Sequence, residues 1–333
     1  MSSNPTVSVF GASGYAGALA ADLVQKHPNF KLKAITSRSD AGRKLNELYP
    51  HYRVAQELEE FDINRHGDVD AAIVAYPHGA AAPIVKELIE GGVKVVDLSA
   101  DFRLRDQATY EEWYVPHQAP ELLAAAVYGL PELYRDQIKH AQLVANPGCY
   151  PTAAILALRP LATELEILDV VIDAKSGVSG AGRAATDKTH FVAVDENVSA
   201  YGVPRHRHTP EIEQELAALG SPVTITFTPH LVPLDQGELV SCYVSVAGGV
   251  GGELEGMYED YYEDEAFVEL ATTPPGVRDV RDTNICRISV HRDERTGRAI
   301  VFGAIDNLWK GTASQAIQNL NLMFGFDEGA GIS

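Results

Sequence analysis

The chain has 333 residues, 45% of them hydrophobic and 22% charged, which is ordinary globular composition with enough apolar material for two cores. Asp plus Glu number 46 against 27 Lys plus Arg, a net charge of −19, so phosphate backbones and anionic lipid surfaces are repelled. No apolar run approaches the roughly 20 residues of a membrane span, and Met1-Ser2-Ser3-Asn4-Pro5 lacks the basic-then-apolar order of a signal peptide. Neither a nucleic-acid nor a membrane partner is expected, and no metal site.

The first half alternates strand and helix signals. Thr6 to Phe10 is short and β-rich, and it runs into Gly11-Ala-Ser13-Gly14-Tyr15-Ala-Gly17. Residues 15–27 then carry Leu19, Leu23 and Val24 at helical spacing, and Pro28 stops the pattern. Strand, glycines and helix in that order form a dinucleotide fingerprint. Glycine permits the tight turn and the close approach of a pyrophosphate, and the helix start supplies unpaired N–H groups. Gly11, Ser13, Gly14, Tyr15 and Gly17 are therefore candidate cofactor residues.

Lys31 to Thr36 reads as the second strand. Where an NAD enzyme places an acidic residue for the ribose 2′-OH, this chain has Thr36-Ser37-Arg38-Ser39. Arg38 can pair with a 2′-phosphate and Ser37 can bond to it, so NADP is the expected cofactor. Further strands are predicted at 71–76, 93–99 and 142–145, with a helix at 83–90 that has proline in its first turn and glycines at its stop. Repeated β–α–β units imply a parallel, doubly wound Rossmann-type sheet. Its rhythm ends near 148. Ser99 and Pro77 fall at strand ends, where such sheets bind ligands, and join the cofactor candidates.

Asn146-Pro-Gly-Cys149-Tyr-Pro-Thr152 lies between an apolar strand and an apolar helical run, 153–158. Cys149 thus sits at a strand-to-helix elbow near a positive helix end, where a thiolate is favoured and can attack an acyl carbon. The other two cysteines, Cys242 and Cys286, fall inside alternating strands and read as core residues. Three cysteines without paired spacing argue against a disulfide framework and for the reducing cytoplasm.

Beyond 149 the rhythm changes. Strands are predicted at 167–175, 223–228, 238–247, 284–290 and 298–306, with helices at 210–219, 253–270 and 312–324. Strands that succeed one another with few helices between them predict an α+β domain, 149–310, with a mainly antiparallel sheet. The last helix, within 311–326, is assigned to the first domain, 1–148. Ser176-Gly-Val-Ser179-Gly180-Ala-Gly182 is a loop able to aim backbone N–H groups at an anion. His208 precedes Thr209-Pro210-Glu211, a helix start with Thr209 as the expected N-cap.

Taken together, Gly11–Gly17, Asp97-Leu-Ser-Ala-Asp-Phe-Arg103, Val144-Ala-Asn-Pro-Gly-Cys-Tyr-Pro-Thr152, Ser176–Arg183, His206-Arg-His-Thr-Pro-Glu-Ile212 and Asp306-Asn-Leu-Trp-Lys-Gly311 closely resemble, over nearly the whole chain, the N-acetyl-γ-glutamyl-phosphate reductases. The resemblance implies an NADP-binding domain, a second domain that builds a dimer, usually a homotetramer, and a small acyl-phosphate substrate. It implies Cys149 as nucleophile and a catalytic histidine in the 206–212 string, read here as His208 rather than His206. It also brings the Pro77 loop, Ser179, Gly180 and Asn307 to the cofactor. An acyl phosphate and a carboxylate need cations, so Arg103, Arg183, Arg205 and Arg207 are substrate candidates. Trp309 departs from the smaller apolar residue usual in that family. Three alternatives share parts of this pattern: a lysine-pathway reductase acting on carrier-linked aminoadipyl phosphate, an aspartate-semialdehyde dehydrogenase, and an NADP-binding redox sensor.

Overall fold

The computed structural model describes residues 4–251 and 254–333. Met1–Ser3, part of the signal-peptide reading, and Glu253, in the predicted 253–270 helix, lie outside them. The chain divides into two compact units. One holds the residues up to Gly148 together with Thr312–Ser333, and the other is Cys149–Gly311.

In the first unit, β1 (Thr6–Phe10), β2 (Lys31–Thr36), β3 (Leu58–Glu59), β4 (Ala71–Val74), β5 (Lys94–Asp97), β6 (Ala126–Tyr128) and β7 (Leu143–Ala145) form one sheet. Its order is β3-β2-β1-β4-β5-β7-β6, and every pairing is parallel. The order turns back between β1 and β4, the switch point at which such sheets open a crevice beyond their strand ends. Helices α1 (Tyr15–Lys26), α4 (Ala82–Glu90) and α6 (Pro131–His140) are the longer connections; α2 (Leu45–Leu48), α3 (Ile63–His66) and α5 (Gln107–Trp113) are short. On one side of the sheet, Phe10, Ala72, Val74 and Val95 pack with Ile84, Val85 and Leu88 of α4.

The second unit opens with α7 (Cys149–Glu164) and builds a seven-stranded sheet from β8 (Ile167–Ser176), β9 (Ser199–Ala200), β10 (Ile225–Leu231), β11 (Glu238–Val246), β12 (Val268–Leu270), β13 (Cys286–Asp293) and β14 (Arg298–Ile305). The order is β12-β13-β14-β11-β8-β10-β9. Pairings β8–β10 and β12–β13 are parallel, and the others are antiparallel. Helices α8 (Phe191–Val194), α9 (Thr209–Ala218) and α10 (Leu254–Tyr262) complete it.

Helix α7 is buried along its middle, with Ala153 through Leu158 removed from solvent. Pro160 inside it has no N–H to give the carbonyl four residues back. That carbonyl, Leu156, accepts instead from the Tyr262 hydroxyl, and the next, Ala157, accepts from Tyr258 at 2.6 Å. One face of α10 thus serves the helix beneath it. The predicted helix over 253–270 is correspondingly too long. It ends at Tyr262, and Val268–Leu270 forms β12, because the backbone there finds a parallel partner in Cys286–Ile288. A short strand won by pairing overrides the local pattern.

The chain then returns to the first unit through a π-helical turn, Trp309–Ala313, and α11 (Ser314–Phe324), which packs beside α1, α6 and β5. Among the described residues no helix is long and apolar enough to cross a membrane.

Candidate active site

Gly11 has φ +89°, and a Cβ there would lie 2.7 Å from the Ala75 carbonyl, so the turns after β1 and β4 touch backbone to backbone. A Cβ at Gly17 would lie 2.5 Å from the Gly11 oxygen, so that glycine lets α1 close onto the turn. Gly14, by contrast, has room, with 3.8 Å to its nearest atom. It is the N-cap of α1, which carries no side-chain cap and no acidic residue in its first turn. A helix start left in that condition suits a pyrophosphate.

Beside it the Ser13 and Ser37 hydroxyls meet at 2.7 Å. The Arg38 guanidinium lies 5.0 Å from the centre of the Tyr76 ring. Ser37 and Arg38 line a cavity of about 480 Å³ with Phe61, Ile63, Pro83, Ile84 and two carboxylates, Glu60 and Glu87. Arg38 and Ser37 offer a cation and a hydroxyl to a phosphate, and Phe61, Ile63 and Ile84 an apolar surface to a base. Asp40 stands nearby, but Arg43 faces it at 3.4 Å and Ser39 donates to it, so its charge is answered locally. Tyr15, on the first turn of α1, packs edge-on against Tyr49 at 6.1 Å, and Pro77 is exposed in the turn past β4.

Ser99 and Arg103 are tied within this unit. Ser99 lies two residues beyond β5; its hydroxyl donates to Asp97 at 2.6 Å and accepts the Asp101 N–H. Asp97 is fully buried, and burial together with the neighbouring Asp101 pushes its carboxyl up to about 7. Arg103 is buried; its Nε donates to the Asn146 carbonyl at 2.8 Å and an Nη to that of Leu98 at 2.7 Å. It holds the ends of β5 and β7 in place.

In the second unit Cys149 is the first residue of α7 and is partly accessible; like the buried Cys242 and Cys286 it is not in a disulfide. Burial pushes the Cys242 thiol far up, so that sulfur stays protonated. Tyr150, next to Cys149, packs edge-on against both His206 and His208, at 5.8 and 5.9 Å. Tyr201 donates to the Tyr150 hydroxyl at 3.1 Å. Helix α9 begins one residue earlier than expected. Thr209 is its first residue and His208 is the N-cap, with φ −82° and ψ −10°. The change follows from His206, whose carbonyl takes the Thr209 N–H and whose Nδ1 takes the His208 N–H at 3.2 Å. Burial and the Arg207 charge lower the His206 pKa to about 4, so that ring is neutral. With Nδ1 accepting, it holds its own proton on Nε2.

Loop 176–182 departs from expectation. The N–H groups of Gly177, Val178, Ser179, Gly180 and Gly182 all donate to backbone carbonyls, of Gly237, Leu234, Asp235, Gly177 and Ser179 respectively. The loop is a braced turn, not an anion cradle. Asn307, two residues past β14, fixes it further, donating to the Ser179 hydroxyl at 3.0 Å and accepting the Gly237 N–H at 2.7 Å. Arg183, Arg205 and Arg207 lie on exposed segments. Among the described residues no group of three or more His, Cys, Asp or Glu is placed to hold a metal.

Sequence reasoning passed over Glu238. It is fully buried at the start of β11, on the parity of Val240, Cys242, Val244 and Val246, the face on which α7 lies. A charged residue in the apolar register of an alternating strand was the available signal. Burial pushes its carboxyl up to about 8; the Cys149 thiol pulls the other way, and the Asp306 charge adds to the rise.

Residues 6–141 match the family model described as the semialdehyde dehydrogenase NAD binding domain, and 149–307 the semialdehyde dehydrogenase dimerisation domain. The solved aspartate semialdehyde dehydrogenase II of Vibrio cholerae, complexed with ASA, superposes with a TM-score of 0.74 at 18% identity, covering 97% of this chain and 99% of that one. The Candida albicans aspartate semialdehyde dehydrogenase with NADP gives 0.70 at 15%, covering 96% and 98%. At such identities the likeness is one of fold. The N-acetyl-gamma-glutamyl-phosphate reductase of Desulforudis audaxviator is 49% identical over 98% of this chain and 97% of its own length. That of Desulforamulus reducens is 50% identical over 97% and 96%. The chain therefore belongs to the N-acetyl-gamma-glutamyl-phosphate reductase family.

Proposed function

We propose that this chain reduces N-acetyl-γ-glutamyl phosphate to N-acetylglutamate semialdehyde and phosphate through a thioester on Cys149, with NADPH as reductant. The observation that carries the reading is Cys149 at the start of a buried helix, its neighbour Tyr150 packed against the His206–His208 pair. The Cys149 sulfur attacks the acyl carbon and the phosphate oxygen leaves, forming the thioester. The cofactor, when bound, supplies hydride to that thioester. The C–S bond then breaks, releasing the aldehyde and the thiolate. His208 moves the proton, and N–H groups at the start of α7 stabilise the oxyanion. Arg183 and Arg205 bind the substrate's anionic groups, while Arg103 acts from its two backbone carbonyls as a brace. Ser179, Gly180 and Asn307 complete the cofactor contacts. The chain works as a homo-oligomer, a dimer or tetramer, in the cytoplasm; the match to a dimerisation domain supports the assembly.

The test is the phosphate-dependent reverse reaction with three aldehydes side by side: N-acetylglutamate semialdehyde, carrier-linked aminoadipate semialdehyde and aspartate semialdehyde. The first should turn over fastest. A higher kcat/KM for either of the others overturns the substrate assignment.

NADP preference is assigned to Arg38, with Ser37 and Ser13 beside it. Arg38→Ala should raise KM for NADPH by about 10- to 150-fold, the loss of one charge-assisted contact, while KM for NADH changes little. Equal losses for both cofactors would make Arg38 a structural residue that packs on Tyr76.

A further inference from the structure

Two buried carboxyls stand at the same end of the second unit's sheet, Asp306 just past β14 and Glu238 at the start of β11, and their surroundings differ. Asp306 accepts from Gln236 Nε2, the Asp282 N–H and the Leu308 N–H, each at 2.9 Å, and from the Trp309 N–H at 3.3 Å. Burial pushes the Asp306 carboxyl up, and these four donors work against that rise and favour the carboxylate. Glu238 is as deeply buried; among the described residues no N–H or hydroxyl donates to its oxygens, and the one donor that faces it is the Cys149 thiol. A weak thiol donor and no cation do not offset the cost of burying an ionised carboxylate, so Glu238 rests as the neutral acid.

Its neighbours are few. From α7 it faces Cys149 and Tyr150, from the segment after β9 Tyr201, and from the turn after β14 Asp306. Across the sheet its register partners are Ser176 of β8 and Ile305 of β14. Tyr150 and Tyr201 stay protonated, both pushed up by burial. The site is tight as well, since a Cβ at Gly311 would lie 2.8 Å from the Cys149 Cβ and 3.2 Å from Ile305.

We propose that Glu238 is a positioning residue for Cys149: as a neutral acid it lets the sulfur ionise, and once it loses its own proton its charge holds the sulfur as the thiol. Two anions this close in a site of low polarity do not coexist, so the pair titrates as a unit and the second proton leaves late. Raised from the usual carboxyl range to about 8, Glu238 sheds its proton on the alkaline side of neutrality. Below that pH Glu238 does not oppose the start of α7 at the sulfur, and above it the new carboxylate does. The idea rests on Cys149 being the nucleophile, but its test needs neither substrate nor cofactor.

The experiment is the rate of Cys149 alkylation by iodoacetamide from pH 6 to pH 10, followed on the Cys149 peptide by mass spectrometry, in the intact protein and in Glu238→Gln. The native protein should show a two-step profile with a retarded rise near pH 8, and the variant a single step. The two should converge at pH 6, and at pH 9 the variant should be on the order of 10-fold faster, the effect of a coupling of one pK unit. Glu238→Met, which removes the carboxyl but keeps the bulk, should behave like the glutamine variant. Coincident profiles overturn the proposal. So does a variant slower at every pH, which would make Glu238 the base that takes the thiol proton. If neither variant folds, the native profile still decides, because a single-step curve overturns the coupling. Failure of the substrate assignment would leave this result untouched.

Discussion

Cys149→Ser should lower turnover by on the order of 10³-fold or more while leaving NADPH binding nearly unchanged. A serine hydroxyl is barely ionised near neutral pH, so neither the helix start nor a neighbouring base makes it a comparable nucleophile. The variant separates two jobs, because the fingerprint residues Gly11, Gly14 and Gly17 belong to the first unit and are not altered by it. Cofactor titration by fluorescence and steady-state turnover, measured on one preparation, read both. A serine enzyme that keeps more than about a tenth of the native rate sinks the covalent route. Cys242→Ser is the control. Cys242 is fully buried, so its replacement should cost stability and leave catalysis in place.

His208→Asn should lower the turnover number by about 10²- to 10⁴-fold, the range of a lost acid–base group, whereas His206→Asn should lose far less. The difference follows from what each ring does. His206 is neutral, and its Nδ1 is committed to the His208 N–H. An asparagine carbonyl at 206 can take the same N–H, so the start of α9 survives the exchange. At 208 an asparagine keeps the N-cap position but has no group that can carry a proton. The acid limb of the rate profile should change in the 208 variant alone. Rapid-quench phosphate release sharpens the reading: if it slows with turnover, His208 activates the thiol, and if it stays fast, His208 serves the hydride step. A collapse of the 206 variant with the 208 variant intact would exchange the two roles.

Much of this architecture follows from patterns that survive without tertiary context. Thr6–Phe10 and Lys31–Thr36 are short β-rich runs between strong breakers, and both form strands over those residues. The Cys149 elbow was legible because Pro151 and an alanine-rich run mark a helix start after an apolar strand. Elements of two to four residues, such as Leu58–Glu59 and Ile63–His66, are too short to show a period, and pairing or packing decides them. The end of α10 escaped for the same reason, since only Cys286–Ile288 across the sheet makes a strand of 268–270. In the site, type and spacing single out Cys149 and the two histidines. They do not say that the N–H groups of 177–180 and 182 are already bonded, nor that Glu238 is buried facing the Cys149 thiol. Both depend on which segments come together.

The first unit is discontinuous in sequence, and that bears on how the protein is made. Residues up to Gly148 leave the ribosome long before Ser314–Phe324, yet Ile317 and Leu320 of α11 are fully buried in the finished fold. Behind them the tail returns to the end of α1, where Ala330 bonds the His27 ring at 2.8 Å. Until synthesis ends, α1 and α6 present uncovered apolar surface, while Cys149–Gly311 is an unbroken stretch that emerges whole. Vectorial folding therefore runs against the usual order: the later-made unit is the first that can finish, and the earlier one waits for its last helix. A chain cut short just after Gly311 has one complete core and one open one, a substrate for chaperones and proteases.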